Sequence, residues 1–161
     1  MLGFLLNMQI KVILIGKTST SYIKEGVEVY LKRLKHYVKL EMIEIGDVNY
    51  KERDRQKEKE GESILKHIKA DDVVFLLDEK GDNPTSREFA QFFQKKMNAG
   101  TKQMVLVIGG AFGFSKEVYD RSNGLLSFSK MTFSHEMIRL FMLEQIYRAF
   151  TILKGESYHN D

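Results

Sequence analysis

The sequence predicts an α/β fold in which helices cover both faces of a parallel sheet. Three observations carry that expectation. Strand-like and helix-like segments alternate along the chain as βαβαβαβαβα, the order that builds parallel sheets through crossover helices. Asp72–Asp78 (DVVFLLD) and Gln103–Ile108 (QMVLVI) are almost unbroken apolar runs, the pattern of strands covered on both sides. The 161 residues hold a single proline, Pro84, and neither a low-complexity linker nor an internal repeat, so one domain accommodates them.

Met8–Gly16 (MQIKVILIG) is rich in β-branched and aliphatic residues and stops at a glycine, which reads as a buried first strand. Thr18 to Ser21 offer capping hydroxyls. Ile23, Val27, Tyr30, Leu31, Leu34 and Val38 then recur at helical spacing, giving an amphipathic helix to about Tyr37. Leu40–Ile45 (LEMIEI) alternates as a strand, and Gly46-Asp47 ends it. Tyr50–Lys69 is a second helix, almost wholly charged from Lys51 to Glu60, with opposite signs at neighbouring helical positions. Ile64, Leu65 and Ile68 are the side chains it can dock on a core. Asp72–Asp78 follows as the third strand. Ser86 caps a helix with Phe89, Phe93 and Met97 on one side and Gly100 at its end. Gln103–Ile108 runs into Gly109-Gly110, Ser115–Arg121 is a short helix, Leu125–Phe128 a short strand, and Ser134–Leu153 a long final helix.

That last helix is apolar on nearly all sides, with Leu140 and Tyr147 among its polar positions. A helix of this kind is buried all round. Two coverings are open, the interior of its own domain or a second subunit, and a twofold homodimer is the expectation.

Composition narrows the function. Cysteine is absent, so no disulfide framework or thiolate metal site is possible, as befits a reducing, cytoplasmic location. Met1 to Leu6 is apolar but too short for a membrane span, and it lacks the basic start of a signal peptide. Met1 to Asn7 reads as an extension ahead of a single domain at 8–161. The net charge of +3 permits a polyanionic partner without demanding one. No histidine pair has metal-ligand spacing and no serine lies in a nucleophile elbow, so no metal is expected and acyl transfer has little support.

In open parallel sheets, ligands bind beyond the carboxyl ends of the strands. Three stretches fall there: Leu77 to Gly81, Gly109 to Gly113, and Phe128 to Phe133. Gly109-Gly110 follows a buried strand and precedes a helix, as a nucleotide loop does. It matches neither the dinucleotide nor the phosphate-loop fingerprint, and a plain tight turn fits equally well. Phe128 to Phe133 reads either as core packing at a loop or as an apolar slot with main-chain groups for a purine. Tyr158-His159 after Gly155 is either a polar tail or a pair able to stack on a base and move a proton. His135 and Arg139, four apart at the start of the last helix, share a face that either solvates the helix or meets phosphate. Lys32, Arg33, Lys35, His36 and Lys39, with Lys17 after the first strand, form either a solvated basic face or an RNA backbone contact.

Several longer motifs then occur together in one order. They are V-I-G-G at Val107 to Gly110, L-S-F-S-K-M-T-F-S-H at Leu126 to His135, E-Q-I-Y-R-A-F at Glu144 to Phe150, and Y-H at Tyr158-His159. With the opening strand ending in Gly16-Lys17 and the K-E-K-E-G-E run from Lys57 to Glu62, they resemble the RlmH family. That family comprises the 23S rRNA pseudouridine-N3 methyltransferases of the SPOUT superfamily. The likeness covers nearly the whole chain from Met8. It departs at Met1 to Asn7, at Ala111-Phe112 and at Glu156-Ser157.

The resemblance implies a SPOUT-type α/β knot, with the C-terminal part drawn into a deep trefoil knot, and a homodimer. It implies S-adenosyl-L-methionine as cofactor, held by Leu77, Gly109, Gly110, Phe128, Ser129, Lys130, Met131, Thr132 and Phe133. The implied substrate is N3 of a pseudouridine in the helix 69 loop of 23S rRNA on the assembled ribosome. Tyr158 and His159, with His135 or Arg139 from a partner subunit, are the expected catalytic residues. Lys17, Arg33, Lys35 and Arg148 are the expected RNA contacts. Competing expectations are a SPOUT-type methyltransferase for another rRNA or tRNA nucleotide, and a non-catalytic ribosome-binding factor.

Overall fold

A computed structural model describes residues 7–160, so Met1 to Leu6 of the expected extension lie outside the described residues. Its strands are β1 (Gln9–Ile15), β2 (Lys39–Ile45), β3 (Val73–Asp82), β4 (Gln103–Ile108) and β5 (Gly124–Leu126). Its helices are α1 (Ser21–Leu34), α2 (Arg53–Leu65), α3 (Ser86–Asn98), α4 (Lys116–Arg121) and α5 (Met137–Leu153). The strands form one parallel sheet in the order β2-β1-β4-β3-β5.

Strand alternation sorts the core into two layers, because successive side chains point to opposite faces. Ile10, Val12 and Leu14 of β1 and Met104, Leu106 and Ile108 of β4 join a larger cluster with α1, α3 and α5. Ile13 and Ile15, with Val105 and Val107, face the smaller cluster built by Ile64 of α2, Val118 of α4 and Phe114 just before α4. Helices therefore cover both faces. β1 and β4, central in the sheet, are the most fully buried strands.

β3 departs from the expected burial, and β5, α2 and α5 from their expected bounds of Leu125–Phe128, Tyr50–Lys69 and Ser134–Leu153. β3 is not covered evenly: Val74 and Leu76 are buried in the smaller cluster on one face, while Val73, Phe75 and Leu77, on the opposite face, are half-buried against the larger one. β3 also runs on to Asp82, whose carbonyl accepts from Ser127 N at 2.8 Å after a shift in register against β5. A side-chain carbon at Gly81 would sit 2.6 Å from the main chain of Leu125 and Leu126, so glycine is required where these segments touch.

Of the two coverings open to α5, the interior of its own domain takes up part of its apolar surface. Met142, Leu143, Ile146, Ala149 and Phe150 are buried between α1 and α3. Leu140 packs where Gly26 of α1 has no side chain, and Tyr147 packs on Tyr30, Tyr37 and Tyr158. Phe141 is exposed, its ring 5.0 Å from that of Phe133. Among the described residues, no helix is long and apolar enough to cross a membrane.

Candidate active site

The carboxyl ends of β3, β4 and β5 open into a cleft of about 890 Å³. Its walls are the three stretches singled out in the sequence: Leu77 to Lys80, Gly109 to Gly113 running into Phe114, and Phe128 to Phe133 running on to His135. Arg53, Asp54 and Lys57 of α2, Tyr119 of α4 and Ile138 of α5 also line it. Strand-end loops converge there because the β4–β5 connection passes back over β3, leaving a crevice beside the crossing.

The glycine stretch is both a tight turn and a cleft wall. Gly113 N donates to Gly110 O at 3.3 Å, and Gly113 has φ +79°, a left-handed conformation that favours glycine. A side-chain carbon at Gly109 would lie 2.9 Å from the Phe114 ring, and one at Gly110 would lie 2.8 Å from both carboxylate oxygens of Glu60. A side chain at Gly109 would thus displace the Phe114 ring and one at Gly110 the carboxylate end of Glu60, and both glycines line the cleft.

The Phe128–Phe133 loop holds itself by serine hydroxyls. Ser127 Oγ donates to Ser129 O at 2.9 Å, and Ser129 Oγ accepts from Met131 N at 2.9 Å. Phe128 packs edge-on against Phe89 of the core, whereas Met131 is 76% exposed. One end of the loop is therefore anchored and its middle presented to solvent. A second groove of about 290 Å³ adjoins it, between Pro84, Phe89, Phe133 and Phe141. Opposite, the Tyr119 hydroxyl donates to Asp78, and burial with that carboxylate pushes the phenol up to about 12. The cleft's tyrosine is thus a donor at neutral pH.

The other expected site residues are dispersed. His135 is exposed and lines the cleft, in the turn before α5. Arg139 is fully buried: Nη1 donates to Thr18 Oγ1 at 2.8 Å and Nη2 to Ile15 O at 2.6 Å. The shared His135–Arg139 face does not form, because the helix begins at Met137. No phosphate can reach that guanidinium in this chain. Burial pulls its pKa down, opposed by the charges of Glu44, Glu136 and Asp47.

Tyr158 and His159 are half-buried and outside the cleft lining. The Tyr158 hydroxyl donates to Glu144 Oε1 at 3.0 Å and lies 3.3 Å from the Tyr30 hydroxyl, and its ring packs on Tyr147. Burial raises the Tyr158 pKa, and those two neighbours raise it further. His159 Nδ1 is 3.1 Å from Arg148 Nη1. Arginine has no acceptor, so Nδ1 accepts and Nε2 carries the imidazole proton. Arg148, an expected RNA contact, holds this tail. It pairs with Glu144 at 2.5 Å and lies 4.8 Å from the centre of the Tyr158 ring. Arg33 lies against the Tyr30 and Tyr147 rings in the same cluster, while Lys35 and Lys17 are exposed and outside the cleft.

Three carboxylates at these sites escaped sequence reasoning. Glu144 stands four residues before Arg148, a spacing that could have revealed the pair. Glu136 accepts from Ser19 N, Ser19 Oγ, Thr20 N and Thr20 Oγ1, and those bonds hold its pKa down at about 2. Glu60 is 4% exposed in a helix expected to be solvated there. Its signal was the neighbouring Gly61, since glycine weakens a helix interior unless close packing needs it.

Residues 8–159 match the family described as "Predicted SPOUT methyltransferase". The chain is 48% identical over 156 residues to a ribosomal RNA large subunit methyltransferase H of Christiangramia forsetii, covering 95% of this chain and 99% of the relative. It is 49% identical over 158 residues to the protein of the same name from Parabacteroides distasonis, covering 96% and 100%. A Bacteroides thetaiotaomicron protein of that name is 44% identical over 157 residues, again covering 96% and 100%.

Proposed function

The chain belongs to the SPOUT methyltransferase family, and from that premise we propose that it methylates the RNA of the large ribosomal subunit, with S-adenosyl-L-methionine as donor. The target in this reading is N3 of a pseudouridine in the helix 69 loop of 23S rRNA. The observation that carries it is the convergence of Leu77, Gly109-Gly110 and Phe128 to Phe133 on one cleft.

That cleft fits the donor in size and in kind. At about 890 Å³ it can enclose a ligand of this class, and it is lined by apolar rings beside main-chain polar groups. The main chain of Leu77, Gly109 and Gly110 would hold and orient the adenosine part. The Phe128–Phe133 loop would close over it and exclude water. When bound, S-adenosyl-L-methionine supplies an electrophilic methyl group whose sulfonium charge is lost on transfer, a change that a water-poor slot favours.

The acceptor nitrogen normally carries a proton, so the protein must orient the base and ease that proton's departure. In this reading His135, which lines the cleft, takes it. Tyr158 is unsuited to that task, because its raised pKa keeps the phenol protonated. In this reading His159, held through Nδ1 by Arg148, orients the base beside the Tyr158 ring. Arg148 and Glu144 act as positioning residues for this tail. Arg139 has no part in this reading.

Tyr158 and His159 lie outside the cleft of their own chain, so the reading includes a homodimer in which a second copy brings its tail to the cleft. The exposed Phe133–Phe141 pair offers an apolar strip for that contact. It also includes the trefoil knot. The clasp of Asp82 on Ser127, with Gly81 pressed on Leu125 and Leu126, supports a chain drawn through a loop there.

Mass mapping of rRNA methylation in a deletion strain tests the acceptor. Loss of one methyl group from large-subunit rRNA, restored by the wild-type chain, is the expected result; an unchanged methyl inventory would overturn the proposal.

A further inference from the structure

We propose that Glu60, a buried carboxylate on α2, is a positioning residue for the donor site: wedged behind Gly110, it sets the shape of the Gly109–Gly113 turn. The assignment rests on the reading of the cleft as the methyl-donor site.

The turn cannot set its own shape. Three of its five residues are glycine, the residue with the most backbone freedom to lose, and they carry no side chains that could anchor them. Its internal bond from Gly113 N to Gly110 O is long, at 3.3 Å. Bracing therefore comes from outside, and α2 supplies it at three points. Glu60 abuts Gly110, with both carboxylate oxygens 2.8 Å from where a side-chain carbon would stand. The Arg53 guanidinium lies 5.0 Å from the centre of the Phe112 ring. Gly61 packs against the side chain of Ser115, the residue that caps α4 just past the turn.

Packing alone does not account for a carboxylate at this place. Glutamate is almost never fully buried without a partner, and an aliphatic side chain would fill the same volume without the desolvation cost. Glu60 is 4% exposed and accepts from Gln56 Nε2 at 3.1 Å. Burial raises its pKa and the charge of Asp47 adds to that, while the Gln56 bond opposes them. A polar group held at that expense, against the one wall of the cleft made of bare main chain, fits a role in shaping that wall.

The contact predicts a specific coupling, measurable by titrating the full-length protein with S-adenosyl-L-methionine in a calorimeter. Glu60→Ala and Gly110→Ala are each expected to weaken binding about tenfold, equivalent to about 1.4 kcal/mol. The double variant is expected to bind no worse than the weaker single one, because the added methyl group enters space that the carboxylate has vacated. Glu60→Gln, which keeps the shape, is expected to stay within about threefold of wild type. In turnover assays, Glu60→Ala should raise KM for the donor and leave kcat and KM for RNA unchanged. Additive losses in the double variant, wild-type affinity in Glu60→Ala, or a Glu60→Gln variant as weak as alanine would each overturn the assignment. If Gly110→Ala does not fold, the alanine and glutamine variants of Glu60 still decide it. A wild-type chain that binds no donor would instead overturn the reading of the cleft, and this assignment with it.

Discussion

Replacing Arg139 by alanine separates a structural arginine from a phosphate-binding one, and the buried geometry sets the size of the effect. The side chain is fully buried and donates to Ile15 O and Thr18 Oγ1 at 2.6 and 2.8 Å. Hydrogen bonds to a charged donor contribute about 1.5–3 kcal/mol each, and an acceptor stranded in the interior costs about 1–3 kcal/mol. Against this, removing the guanidinium relieves its desolvation and the unpaired Nε, which finds no partner among the described residues. The cavity left by the side chain adds a further penalty. The net expectation for Arg139→Ala is a loss of about 3–5 kcal/mol, from two stranded acceptors at about 1–3 kcal/mol each together with the cavity. For a domain of this size that lowers Tm by roughly 10 °C. Arg139→Met fills the volume and removes the charge but still strands the Ile15 carbonyl, so a smaller loss of about 1–3 kcal/mol is expected. Urea unfolding monitored by circular dichroism gives both values, with RNA affinity measured alongside. An alanine variant within about 0.5 kcal/mol of wild type, the range of ordinary surface changes, would refute the structural account. The refutation would be complete if that variant also lost RNA binding.

Glu136 makes stability depend on acid. Its folded pKa of about 2 lies below the ordinary carboxylate value of 4.5, so the unfolded chain binds the proton more readily. The carboxylate's contribution is thus fully present above about pH 4.5 and is lost as pH falls toward 2. In acid unfolding, wild type should lose more stability across that window than Glu136→Gln; parallel curves would refute this. At Gly81 an added methyl group meets the main chain of Leu125 and Leu126, which cannot swing aside, so Gly81→Ala is expected to cost at least about 3 kcal/mol. A thermal melt near the wild-type Tm would contradict it. His159→Ala is expected to abolish methylation while S-adenosyl-L-methionine affinity stays within about twofold, less than about 0.5 kcal/mol. Full turnover in that variant would remove His159 from the mechanism.

The segments that sequence alone determined are those whose signal is local. Ile10 to Ile15 and Met104 to Ile108 are apolar at every position, or nearly so, and such runs become central strands because only burial on both faces satisfies them. The cleft loops were legible for the same reason, since Gly109-Gly110 and Phe128 to Phe133 follow directly on strands. Strand order was not legible. β4 inserts between β1 and β3 through connections whose destination no window of residues encodes. Nor was the fate of individual polar groups. Arg139 follows the same rule of helix spacing as an exposed arginine, and its burial depends on β1 ending beneath it, 124 residues away in sequence. Glu60 reads as one charge among many until α2 is laid behind a turn 50 residues later. Hydrophobic periodicity is written in neighbours, whereas the environment of a charge is written by whatever the folded chain brings against it. That is why the tertiary structure alone decided which charged residues are buried and which line the cleft.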